Sequence, residues 1–470
     1  MEIKRRNFLK TSVIGAGALL IKTTGYAKVE ELNESVNNIE QTNKTKKQLY
    51  NMCGYAAPAI PTVRIGFIGI GSRGSAAVER ILHINNTEVA ALCDVYEEKI
   101  NDCREMLMKK KQKKAKEYYG SKDTWKKLCE QKDIDLVYIA TPWALHTPMA
   151  VYAMECGKHV AVEVPAACTL EECWQLVETS ERTKKHCCQL ENCCYDFFEI
   201  MTTNMAHKGV LGELMHGEGA YIHEILNNIF DRPTGWRWQE NRKNGNLYPT
   251  HGLGPICWAM NINRGDQMDY LTSMATDDFM MQEKARQLAA SNPAFEEAAK
   301  IKFRGNLNTS LVRTHKGKTI LIQHDISSPR PYSRLHLLSG TKGFVQKYPE
   351  PGKIALGHGF VDEATMKQLE EKFTPELVKH ISEAAKKVGG HGGMDFIMDW
   401  RLMDCLRNGL PLDMDVYDAA NWSCITPLSI WSIANRSNSI DVPDFTCGAW
   451  KTNTPVDLTL RNGGNTEFIG

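Results

Sequence analysis

Three short stretches of this sequence carry side chains able to seat an anion or move a proton. The first is Gly69-Ile70-Gly71-Ser72-Arg73-Gly74, a GxGxxG, with Asp94 twenty residues beyond Gly74. The first glycine permits a tight turn, the second lets backbone approach a pyrophosphate, and the third lets a helix pack on a strand. A helix opening there offers free N–H groups and a favourable dipole to an anion. Asp94 can accept from both hydroxyls of a ribose, and its charge repels a 2′-phosphate, so the motif favours NAD over NADP.

The second stretch is NGNLYPTHGLGP, with Tyr248 and His251. Histidine suits general acid–base work near neutral pH. The glycines and prolines fix backbone direction and predict a loop carrying catalytic groups. A loop histidine is as a rule structural, but this one stands three residues from a tyrosine and opens a glycine-rich turn. The third stretch, GEGAYIHE, puts Gly217, Gly219, Tyr221 and His223 on one face of a strand by period two. Two glycines beside an aromatic hydroxyl leave room for a ligand against the sheet. The alternative is tight packing around an ordinary core tyrosine. His216 and His223 read as structural.

These groups need a scaffold, and the apolar pattern predicts one. VRIGFI from Val63, EVAALCDV (88–95), IDLVYIATP (134–142) and HVAVEVP (159–165) read as buried strands, with a helix over 147–156. Strands alternating with helices predict a parallel, doubly wound sheet. ATPWALH (140–146) leaves its strand at the carboxyl end, where such sheets bind ligands; Trp143 either covers a dinucleotide there or is plain core. Beyond about residue 190 the strands carry hairpin-like turns, in 212–225, 308–327 and 333–348, and predict a mostly antiparallel sheet. Helices are expected over 281–300, 363–387 and 394–408. The fold class is therefore α/β plus α+β: a Rossmann domain over 59–190 and a substrate-binding domain on an open sheet over 191–470.

The chain has 470 residues, 42% of them apolar, enough for two domains with their own cores. A formal charge of +1 gives no electrostatic reason to expect a nucleic acid partner. KKKQKKAKEYY (109–119) reads as a solvated helix face. Residues 1–27 hold Arg5-Arg6, a short apolar stretch and small residues before Ala27. They resemble a twin-arginine signal and predict export to the periplasm, with no stable membrane span in the mature chain. Residues 28–58 are polar and predict a linker or surface arm. The fifteen cysteines show no zinc-like spacing and read mostly as small buried residues, with a disulfide or two left open.

The amino-terminal half resembles the glucose–fructose oxidoreductase/inositol dehydrogenase superfamily. QLENCCY, GELMHGEGAYIHE, NGNLYPTHGLGP and INRGD together resemble glycoside hydrolase family 109, from about residue 60 to the carboxyl terminus. The resemblance implies an NAD-dependent α-N-acetylgalactosaminidase whose partner is a glycan ending in that sugar; a homo-oligomer is left open. It implies NAD contacts at Ser72, Arg73, Asp94, Trp143, Ala144, Leu145, His146, Glu163, Val164, Asn192 and Tyr248, besides the Gly69, Gly71 and Gly74 turn. It implies sugar contacts at Tyr221, Arg237, Tyr248, Pro249, Thr250, His251 and Tyr332, with Arg242 competing for the place of Arg237. Glu191, Tyr221, Tyr248 and His251 match positions linked to catalysis.

Val164 stands where the parent dehydrogenases carry a lysine that polarises the reacting hydroxyl. The implied chemistry is redox-neutral: oxidation at sugar C3, loss of the C2 proton, elimination at C1, addition of water, then reduction back at C3. No ammonium is then needed at position 164, and proton handling is expected of His251 aided by Tyr248 at C3 and of Tyr221 at C2. Glu191 is expected to orient or to serve the leaving group. The loop GGHGGMDF (389–396) either approaches the sugar or is structural. The competing readings are an NAD-dependent sugar or polyol dehydrogenase and a non-catalytic NAD-binding sensor.

Overall fold

The computed structural model describes residues 45–469. The leader expected over 1–27, and the arm as far as residue 44, lie outside the described residues. The remainder of the arm lies against the body of the molecule. Met52 is buried, its N–H and the Gln48 amide donate to the Tyr417 hydroxyl, and the Asn51 amide donates to Asn453.

The first sheet is wholly parallel. Its strands are β1 (Val63–Ile68), β2 (Thr87–Cys93), β3 (Lys116–Tyr118), β4 (Leu136–Ile139), β5 (His159–Val162) and β6 (Cys187–Gln189), in the order β3-β2-β1-β4-β5-β6. Every residue of β4 and β5 is buried, as a sheet with both faces covered requires. Strand order reverses between β1 and β4, and the crevice at their carboxyl ends is where such sheets take ligands.

The second sheet holds β7 (Leu214–Ile222), β8 (Met268–Ala275), β9 (Leu307–Thr314), β10 (Thr319–Asp325), β11 (Ser333–Gly340), β12 (Phe344–Gln346), β13 (Lys353–Ala355) and β14 (Ile440–Asp441), in the order β13-β12-β11-β7-β10-β9-β8-β14. Every pairing is antiparallel except β7 with β10. Burial alternates along β9, the mark of a sheet covered on one face. The α/β plus α+β class read from the pattern is the observed one.

Five local expectations need correction. NGNLYPTHGLGP does not end in a loop: Thr250–Met260 is an α-helix laid directly on β7. Its glycines allow backbone to meet backbone, since a Cβ on Gly219 would come within 2.3 Å of the Gly252 carbonyl oxygen. The space beside Gly217 and Gly219 is therefore filled by this helix and not by a ligand. The helix expected over 281–300 stops at Ser291, where Asn292 caps a separate turn begun by Pro293. That over 363–387 divides into Glu363–Phe373 and Glu376–Val388 around Thr374-Pro375. The basic run is exposed, but its helix ends at Lys109 and Lys116 enters β3. All fifteen cysteines are free.

Helix Met394–Asn408 belongs by sequence to the second half, yet it packs against β1 and helix Ser72–Ile81 of the first. The carboxyl-terminal tail returns there too, bridging Phe468 to Ile84.

Candidate active site

The glycine turn leaves β1 and opens helix Ser72–Ile81, whose amino end has no side-chain cap. Its first N–H groups are thus left for an anion. Gly69 turns at φ +82°, and a Cβ on Gly74 would lie 1.9 Å from the Gly69 carbonyl oxygen, so neither position tolerates a side chain. A Cβ on Gly71 would meet nothing within 4 Å, which leaves open space where a pyrophosphate would come. Asp94, at the end of β2, accepts from the Ile70 N–H at 2.9 Å and the Tyr96 N–H at 3.1 Å, which fixes its carboxylate at the rim. These residues fit an NAD.

Around that turn lies a network of charges. Arg73 Nε donates to Glu163 at 2.6 Å, and its Nη1 donates to Asp395 Oδ2 at 2.8 Å. Asn192 Nδ2 donates to Asp395 Oδ1 at 2.5 Å, and Arg80 lies 3.6 Å from the same carboxylate. Burial alone would raise the Asp395 carboxyl, but the His391 hydrogen bond and the two guanidiniums hold it well below the usual carboxylate range. Glu163 is thus bound to Arg73 directly, and Asn192 is brought to it through one buried acid. Val164 beside them is 3% exposed and apolar. His146 is turned inward, with Nδ1 2.8 Å from the Pro165 carbonyl oxygen and Nε2 2.7 Å from that of Thr141. Ala144 and Leu145 are exposed at the mouth.

The neighbouring pocket is built of rings. Tyr221 leaves β7 just beyond the covering helix, while Tyr248 and His251 come from that helix's start. Ring centroids are 4.9 Å apart for Tyr221–Tyr248, 4.8 Å for Tyr248–His251 and 5.3 Å for Tyr221–His251. Trp143 stacks on Tyr248 at 5.8 Å, so the nucleotide and ring clusters share a wall. Trp143 also meets Trp236, over which the Arg237 guanidinium lies at 4.7 Å. Arg237 bears on the Tyr221 hydroxyl, which favours it over Arg242. Tyr332, 38% exposed, accepts from Arg334 at 2.9 Å and faces His223 at 5.0 Å. Pro249 and Thr250 are buried at the helix start.

Beneath the rings, His251 Nδ1 is 2.7 Å from Glu191 Oε1, which also accepts from the Cys193 N–H at 3.1 Å. Glu191 is wholly buried. Burial would raise its carboxyl, but the charge and hydrogen bond of His251 hold it below the ordinary value. Burial pushes the Tyr221 hydroxyl up to about 12 and that of Tyr248 well above its usual value, so both stay protonated at neutral pH.

Sequence reasoning left three groups without an assigned role. His223, read as structural, shares a 3.0 Å hydrogen bond with the Tyr221 hydroxyl, and burial lowers it, so it is neutral at pH 7. The period-two alternation that put it on the face of Tyr221 was the available signal. Asp395 falls with His391 in the loop GGHGGMDF (389–396) noted in the sequence, but nothing local tied it to Arg73, over 300 residues away. His391 lies in a run of five residues with positive φ, with Nδ1 2.8 Å from Asp395 and its side chain 60% exposed near His223.

A two-domain chain with a Rossmann nucleotide turn and a ring-lined pocket against it is the class this geometry defines. Residues 63–191 match the oxidoreductase family NAD-binding Rossmann fold, and residues 195–452 match the glycosyl hydrolase 109 C-terminal domain. A glycosyl hydrolase family 109 protein of Bacteroides fragilis is 49% identical, covering 85% of this chain and 89% of its own. A protein of the same organism named alpha-N-acetylgalactosaminidase is also 49% identical, covering 87% and 97%. The chain belongs to glycosyl hydrolase family 109. Among solved structures, levoglucosan dehydrogenase with NADH and levoglucosan has a TM-score of 0.61 at 16% identity, covering 82% of this chain and all of its own. Scyllo-inositol dehydrogenase of Lactobacillus casei has 0.58 at 12%, with the same coverage. At these identities the likeness is one of fold.

Proposed function

We propose that this chain releases terminal α-linked N-acetylgalactosamine by a redox-neutral reaction. The observation that carries it is the buried Glu191–His251 pair under Tyr221 and Tyr248, joined through Trp143 to the nucleotide turn. The relative named alpha-N-acetylgalactosaminidase supports the choice of sugar. Gly69, Gly71, Gly74, Asp94 and the amino end of helix Ser72–Ile81 hold the dinucleotide. NAD, when bound, supplies a reversible two-electron acceptor for the sugar C3–H.

The chain's own residues position the ring and move protons. His251, with Nδ1 engaged by Glu191, keeps its other nitrogen for the C3 hydroxyl proton, assisted by Tyr248. Glu191 is enclosed, so it orients His251 and does not reach the leaving group. Tyr221 passes its hydroxyl proton to the neutral His223 as it takes the C2 proton, and the relay runs back when the proton returns. The leaving-group proton then falls to an imidazole at the mouth, and His391 stands there with Nδ1 held by Asp395. Val164 cannot titrate, in keeping with a reaction that returns its electrons. Arg237 and Tyr332 hold the far side of the sugar.

The test is cleavage of an aryl α-N-acetylgalactosaminide by the NAD-bound protein in heavy water. Deuterium at C2 of the product with no accumulating NADH is the expected result; an unlabelled product would exclude elimination, and steady NADH release would mark a dehydrogenase. Residues 1–27 are proposed to direct export to the periplasm, to be checked by fractionating cells that carry Arg5→Lys/Arg6→Lys.

A further inference from the structure

Cys193 is a side chain the proposed mechanism does not use, yet it lies at its centre. It is wholly buried, and among the described residues the hydrogen-bond contact of its Sγ is a long one, 3.6 Å to the Asn192 amide oxygen. One ligand atom each from Glu191, Cys193 and His251 can be chosen so that all three lie within 4.8 Å of one another. Among the described residues, Glu191 Oε2 is buried with no hydrogen-bond partner. His251 is the part of the trio that reaches the cleft, its side chain 14% exposed.

We propose that Glu191, Cys193 and His251 form a three-ligand site for a borderline divalent cation of the zinc type, and that filling it stops turnover. Thiolate, imidazole and carboxylate are the donors zinc takes, and two anionic ligands balance its charge. Zinc–ligand bonds of about 2.0–2.3 Å put tetrahedral ligand atoms roughly 3.5 Å apart, so the trio needs only a small adjustment. The 2.7 Å hydrogen bond between His251 and Glu191 must open by less than about 1 Å. On binding, Sγ loses its proton to solvent, the His251 Nδ1 proton passes by way of solvent to Nε2, and the His251–Glu191 hydrogen bond is replaced by two metal bonds; no electrons are transferred. The fourth position, on the His251 side, takes water from the cleft.

The site stands on geometry; its effect on turnover rests on the glycosidase reading of His251. The test uses the full NAD-bound chain with Co²⁺ as a spectroscopic probe and Zn²⁺ as inhibitor. We expect one cobalt per chain with a thiolate-to-metal charge-transfer band that is lost in Cys193→Ala. Zinc should inhibit aryl glycoside cleavage reversibly, and Cys193→Ala should need at least about tenfold more zinc while keeping its metal-free rate. Cys193→Ser, closer in volume, serves if the alanine variant folds poorly. No thiolate band, or a band and inhibition that persist in the variants, overturns the proposal, as does full activity with the site filled. A metal-free chain that fails to cleave the substrate overturns the glycosidase reading instead, and the cobalt band then decides the metal site by itself.

Discussion

The nucleotide turn and the ring-lined pocket share a wall at Trp143 but are held together by different forces. Around the turn, four charged side chains are locked to one another: Arg73, Glu163, Asp395 and Arg80. In the pocket the contacts are between rings, and the carboxylate bonded to His251 is enclosed beneath them. A lattice of paired charges resists movement, because unpairing any member leaves a charge in a poor solvent. A pocket of rings with protonated hydroxyls can admit a neutral sugar and pass protons without gaining a buried charge. Binding rigidity and most proton movement are thus assigned to separate neighbourhoods, with His391, held by Asp395, standing where the two meet.

That division is open to attack, most strongly at His251. His251→Ala should lower kcat for an aryl α-N-acetylgalactosaminide by about 10³-fold, in the range for loss of a general acid–base group, with bound NAD unchanged by absorbance after denaturation. Arg73→Ala should do the converse. Most bound nucleotide should be lost, and stability should fall by about 3 kcal/mol in denaturant melts, the low end for unpairing a buried cluster because Arg73 is 29% exposed. His391→Ala should separate substrates by leaving group, slowing alkyl glycosides about 10²-fold and activated aryl glycosides far less. Equal slowing of both would remove it from the leaving-group role.

The smallest effect lies behind Tyr332. Glu199 is buried against Arg334, which holds the Tyr332 hydroxyl, and burial raises the Glu199 carboxyl to about 7. Its folded value exceeds the unfolded one, so the stability it contributes is full below the unfolded value and is lost as pH rises through about 7. As pH falls through that value Arg334 loses one anionic partner while keeping Asp196. KM should therefore rise by about two- to fivefold on acidification with kcat little changed, and Glu199→Gln should flatten that profile.

The sheets were legible because their signals are local. A GxGxxG between strand and helix, or β9 alternating residue by residue, can be read within ten residues. The helix over Thr250–Met260 was not, because Gly252, Gly254 and Pro255 ordinarily mark a turn. Their reason is tertiary: the helix must touch β7 backbone to backbone. The partnerships of the site lie further still from sequence view. His251 and Glu191 are 60 residues apart, and Arg73 and Asp395 are 322 apart. Period two marked His223 as a companion of Tyr221 but carried no hint of their hydrogen bond.

Helix Met394–Asn408 brings Asp395 from the second half of the sequence into the nucleotide turn of the first. A fragment ending near residue 191 would therefore carry the whole glycine motif and still hold Arg73 less firmly, since Arg73 would keep Glu163 but lose Asp395, its second counter-charge. Exchanging one half of this molecule for another therefore requires rebuilding that joint, and a chimaera must keep helix Met394–Asn408 and the returning tail matched to the first half.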